Sequence, residues 1–143
     1  MNYAHNEIGQ LYLDDTDWNA DEVSVPFAEN EIGVSLADGS KDGPSPAALS
    51  GYQWIKSNWQ SALALIQDQC FEFYSPYAEA FEAVPGFATP ADLLGSEILQ
   101  YLRIFDKDDF EITLRFTWQE PDDNHEITFY VESGHCESHS VDG

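Results

Sequence analysis

Positive charge is what this sequence has least of. Lysine and arginine number 5 against 27 aspartates and glutamates, a formal net charge of −22. A field of that sign repels phosphate backbones and anionic headgroups, which argues against direct nucleic-acid or membrane binding and points to a basic protein as partner. Long apolar runs are also missing. No stretch approaches the roughly 20 residues of a membrane span, and MNYAHNEIGQ has neither the basic start nor the apolar core of a secretory signal. A soluble, cytoplasmic protein is expected. Two cysteines, Cys70 and Cys136, could pair with each other, but in a reducing compartment they read as free thiols, with Cys70 in the core. Glycine-rich phosphate loops, CxxC and HExxH are absent, so the usual signs of a nucleotide, zinc or redox enzyme are missing.

What is present is enough apolar material for a core. The chain is 43% hydrophobic and 14% aromatic, unlike a disordered acidic tail. At 143 residues it suits one domain spanning 1–143, burying roughly 70% of its unfolded surface. QLYL, EVSVPF and IGVSL alternate as strands do, the last two forming a hairpin across AENE, with Pro26 marking an edge or a bulge. Ser45 and Pro46 start a helix. Behind them Leu49, Tyr52, Ile55, Trp59, Leu63, Ile66, Cys70 and Phe73 recur at helical spacing, predicting one long amphipathic helix to about Ser75, before Pro76, with a kinked continuation through YAEAF as the alternative. Thr89, Pro90 and Asp92 open a short helix that Gly95 closes. ILQYLRIF is too apolar to show its period and is read as a buried strand. FEITLRFTW and EITFYVE alternate cleanly and form a hairpin across QEPDDN, with SGHCESHSV returning as a third strand. These elements predict an α+β domain, an antiparallel sheet packed on one long helix plus a short one.

Two constellations invite a metal reading. His125, His135, Cys136 and His139 supply nitrogen and sulfur donors, but strand alternation sends Cys136 away from the side that His135 and His139 would share. Exposed terminal-strand histidines are the plainer reading. Asp15, Asp17, Asn19 and Asp21 alternate like the start of a calcium loop, yet its glycine position is Ala20 and its glutamate position Pro26, leaving a solvated acidic loop. No carboxylate pair stands out for acid–base work, and nothing marks a nucleophile. The expectation is a non-enzyme with no cofactor and no metal.

The run GPSPAALSGYQWIKSNWQSALALIQDQCFEFY, the TPADLL helix start and the hairpin ITLRFTWQEPDDNHEITFYVESG resemble a group of small acidic bacterial proteins of unknown function. Some of these look like immunity proteins encoded beside polymorphic toxins. The likeness runs from about Trp18 onward and includes Trp118 and His125 flanking the late loop. Joined to the −22 charge and the lack of catalytic marks, it leads to the expectation of a stoichiometric inhibitor of a basic toxin or effector. Charge would steer the encounter, through the acidic stretch Asp14, Asp15, Asp17, Asp21 and Glu22 and the loop Glu120, Asp122 and Asp123, with Trp18 as anchor if exposed. The alternatives are a small-molecule or metal-binding accessory module using the C-terminal histidines, a DNA mimic, and acidity that serves solubility alone.

Overall fold

The computed structural model of the chain describes residues 2–142. Eight strands lie in sequence order across one sheet: β1 (Asn2–His5), β2 (Gly9–Asp14), β3 (Asp17–Val23), β4 (Ile32–Leu36), β5 (Glu97–Ile104), β6 (Phe110–Phe116), β7 (Glu126–Glu132) and β8 (His135–Asp142). Neighbours are antiparallel except β4 and β5, which run parallel. A parallel pair needs a long crossover. It is supplied by α1 (Pro46–Ser57), α2 (Trp59–Ala80) and a 3-10 turn at Pro90–Leu93. The class is therefore α+β, but the wholly antiparallel sheet expected from the sequence gives way at this seam, where the helical segment returns the chain to the end from which β4 began. Both helices cover one face. Val34, Leu36, Leu102, Ile104, Ile112 and Phe129 are buried beneath Tyr52, Ile55 and Ile66.

The single long helix is in fact two. Ser45 caps α1 as its sequence indicates, its hydroxyl accepting from the N–H groups of Ala47 and Ala48 at 3.1 and 3.4 Å, a cap worth about 1 kcal/mol. At Asn58 the backbone leaves the helical region (φ −133°, ψ 37°), and its side-chain amide donates to the Trp54 carbonyl at 3.0 Å. Asparagine competes for backbone groups in this way, which the apolar spacing does not reveal. The chain then continues helically through Pro76 to Ala80. Ser75 Oγ donates to the Phe71 carbonyl, and Tyr77 is held from outside, with its ring 5.5 Å from Trp118 and its hydroxyl accepting from Glu120 N–H at 2.6 Å. Tertiary packing overrides the local signal to stop.

Gly51 is where α1 meets the sheet. A Cβ there would lie 2.6 Å from Ile104 Cγ2 and 2.7 Å from the Asp106 carbonyl carbon. Gly51→Ala gains about 1 kcal/mol in helix propensity, but the overlap with backbone costs about 1–3 kcal/mol. Net destabilisation is expected, read as a lower urea midpoint, and a higher midpoint would mean that the α1–β5 spacing is slack.

The strand EVSVPF is displaced. β3 is DWNADEV instead, with Trp18 and Ala20 facing the core and Asn19 the other way. A bulge adds a residue between Ala20 and Val23, while Val25 and Pro26 lie outside the sheet. The calcium-like alternation of Asp17, Asn19 and Asp21 is thus the pleat of a strand, and the solvated-loop reading is corrected with it. Ala20 alone is too weak an apolar signal to expose the period.

β1 has no counterpart in the sequence reading. His5 fixes its turn, with Nδ1 accepting from the N–H groups of Glu7 and Ile8 at 3.1 and 3.0 Å. Burial lowers its pKa from 6.5, the Glu7 carboxylate opposes, and Lys56 adds to the lowering. A histidine held below its unfolded value stabilises fully above about pH 6.5, and that contribution is lost as pH falls through the folded pKa. Protection of the Glu7 and Ile8 amides from hydrogen exchange, corrected for intrinsic rate, is expected to drop between pH 7 and 5. Equal protection at both pH values, or an unchanged drop in His5→Ala, would assign the effect elsewhere.

Candidate functional site

Strand order brings chain-distant acidic turns to one end of the sheet. Asp14, Asp15 and Asp17 come from the β2–β3 turn, Asp38 and Asp42 from the segment after β4, Asp106, Asp108 and Asp109 from the β5–β6 turn, and Glu132 from the β7–β8 turn. Lys41 and Lys107 are the cations among them. Backbone bonds lock these turns in pairs. Gly39 N–H donates to the Thr16 carbonyl at 2.7 Å, and Gly134 N–H to the Asp108 carbonyl at 2.9 Å. The Asp109 carboxylate accepts from Ser133 N–H at 3.1 Å. Asp15 and Asp38 sit at φ 59° and 58°, a left-handed backbone that aspartate tolerates better than most residues.

Within this acidic end a cavity of about 450 Å³ is lined by Asp38, Asp106, Asp109, Glu111 and Glu132, with Phe105, Phe110 and Tyr130 as apolar walls. Arg103, on β5, reaches two of the lining residues, Glu111 and Phe105. Its Nε lies 3.1 Å from Asp17 Oδ2, its Nη1 3.6 Å from Glu111 Oε2, and its guanidinium 4.8 Å from the centre of the Phe105 ring. Burial pushes the Glu111 carboxyl up from its usual range, Arg103 pulls it down, and Asp17 pushes it up again. The acidic end holds more carboxylates than Arg103, Lys41 and Lys107 balance, so a further cation is electrostatically favoured there.

The sheet face opposite the helices is polar. Ser35 donates to Asn19 and meets the Tyr101 hydroxyl, Thr113 pairs with Thr128 at 2.8 Å, and Tyr12 donates to Asp21 at 2.8 Å. A bulge at Gln100 turns Tyr101 onto this face while Leu99 and Leu102 face the core, which is why ILQYLRIF hides its period.

Trp18 cannot be the anchor proposed for it. It is 1% exposed, and its indole N–H donates to the Ser40 carbonyl at 2.8 Å beneath Gly39. Asp14, Asp15 and Asp17 do reach the acidic end, and Asp21 and Glu22 occupy the β3 bulge nearer the other end. Glu120, Asp122 and Asp123 follow β6 at the opposite end, so the two acidic stretches do not form one surface. Burial raises Asp123, but hydrogen bonds from His125, Gln119 and Tyr77 more than offset it and hold the carboxyl below the usual range.

The histidines also differ from expectation. An extra residue, Glu137, interrupts the β7–β8 ladder, so Cys136 and His139 share the helix-facing side and His135 leaves it. His139 is half-buried against Phe129 and hydrogen-bonds Gln69 at 2.7 Å, while His125 pairs with Asp123 at 2.5 Å. Among the described residues no group of three or more His, Cys, Asp or Glu is arranged to hold a metal ion, and no helix is long and apolar enough to cross a membrane.

A family described as a domain of unknown function (DUF6985) matches residues 7–132. The chain belongs to that family. No curated protein and no solved structure matches it. The DUF6985 match takes in β2 to β7, both helices and the acidic end, and it includes Trp118 and His125, whereas His135, Cys136 and His139 fall outside it.

Proposed function

We propose that this DUF6985 domain is a non-catalytic binding protein that neutralises a basic protein, a toxin or effector, in the manner of an immunity protein. The observation that carries the reading is the convergence of carboxylates from four separate turns on one end of the sheet, three of which contribute to the lining of a cavity wide enough for a lysine or arginine head. Long-range attraction steers a cationic partner to that end, and Phe105 and Tyr130 supply the apolar walls against which its side chain is held. Rigid turns lower the ordering cost of binding.

The test compares two variants of equal net charge. One carries Asp15→Asn, Asp38→Asn, Asp108→Asn and Glu132→Gln, all at exposed positions of the acidic end. The other carries Glu29→Gln, Glu31→Gln, Asp68→Asn and Glu72→Gln, equally exposed but elsewhere. Binding of a decalysine probe should weaken in the first and persist in the second. Equal losses would reduce the reading to net charge and remove it.

A further inference from the structure

At the far end of the sheet from the acidic turns, the last turns of α2, the β6–β7 loop and β8 enclose a cavity of about 660 Å³. Phe73 and Tyr77 lie on α2 at four-residue spacing and share one helix face, and Phe81, the residue that caps α2, extends the row. Their ring centres are 5.9 Å and 4.6 Å apart along the row. Phe81 and Val141, both lining the cavity, remain 39% and 47% exposed. Soluble surfaces rarely leave such groups together without use. The rim is of opposite character, lined by Glu120, Asp122 and Asp123, of which Asp123 is hydrogen-bonded to His125 and Asp122 is exposed.

We infer that this cavity binds an organic cation, an alkylammonium head group, between the aromatic rings and the carboxylate rim. The chemistry selects the class. A neutral apolar ligand would cover the rim carboxylates without replacing their water. A bare metal ion is disfavoured because, among the described residues, no three His, Cys, Asp or Glu side chains converge to ligate one, and the aromatic faces add no donor atoms. An alkylammonium satisfies both surfaces, its methyl or methylene groups lying on the negative ring faces while its charge answers the rim. The cavity is separate from the acidic end, so the inference stands whether or not a basic protein docks there.

The same head group can arrive free or on a methylated lysine, and the experiment separates the two. Choline and a short trimethyllysine peptide would be titrated into the intact chain, following the amides of Glu120, Asn124 and Val141 and the indole N–H of Trp118, whose ring lies 5.5 Å from Tyr77. The uncharged isostere 3,3-dimethylbutanol is the control. Expected is saturable binding of a cation about tenfold tighter than the control, weakened about fivefold by Phe81→Ala and by Asp122→Asn, both at exposed positions. Tighter choline binding marks a free ligand, and tighter peptide binding marks one carried on a protein. Equal affinity for choline and its uncharged isostere, or shifts spread over other acidic surfaces, would overturn the inference. Phe81 is the last cap of α2, so Asp122→Asn keeps the test valid if Phe81→Ala perturbs the helix end.

Discussion

Trp18→Ala is expected to lower the free energy of unfolding by about 3–5 kcal/mol, the usual cost of emptying a large aromatic site in a packed core. The indole is 1% exposed, its ring lies 6.0 Å from Tyr3, and its N–H holds the Ser40 carbonyl. It therefore fixes the segment that carries Asp38 and Asp42 against β3. Trp18→Phe keeps most of the packing and should cost less, about 1–3 kcal/mol, because it leaves the Ser40 carbonyl without that donor. Denaturant unfolding of both variants checks this. A loss under about 1 kcal/mol for Trp18→Ala would mean that the side chain is not a core element, and would revive its role as a partner anchor.

Neutralising the acidic end is expected to weaken decalysine binding by about 10–30-fold, and the equal change elsewhere by no more than about threefold. Magnitudes decide this. Two unit charges about 8 Å apart in water interact by about 0.5 kcal/mol, so four carboxylates near the probe sum to about 2 kcal/mol. Carboxylates more than a Debye length away, about 8 Å at physiological salt, are largely screened. Raising salt to about 1 M contracts that length to about 3 Å and should erase the difference between the variants. A difference that survives high salt would point to shape rather than field. Glu111 adds a pH signature. Its carboxyl is held above the ordinary range in the free protein, so a bound cation pulls it down and releases protons, and binding should strengthen as pH rises through the carboxylate range.

Much of the architecture is legible in the sequence because alternation survives wherever a strand has one buried face. FEITLRF and EITFYVE read directly as β6 and β7, and Ser45 and Thr89 announce their helical starts. The readings that fail have local causes. Bulges at Gln100 and Glu137 insert a residue and invert every side chain beyond it, defeating arguments from odd and even spacing. Asn58 splits a continuous apolar stripe because a stripe records burial and not backbone continuity. The candidate site was only partly legible. Asp14, Asp15 and Asp17 stand out as a cluster in one dimension, but Asp38, Asp108 and Glu132 join them only through the order of strands, which single-sequence periodicity does not encode. The cation cavity was split between two readings, with Phe73 assigned to the core stripe and Glu120, Asp122 and Asp123 to a loop.

An open sheet has two outer strands whose free N–H and C=O groups can recruit a strand from another molecule. Here one border, β1, is four residues long, and the other, β8, is bent by the inserted Glu137 and lined with exposed His135, Glu137 and Asp142. Neither border offers a long, flat, apolar template, so the molecule resists fibre-like stacking of its copies. The residue that separates the histidines thus also guards the sheet against polymerisation.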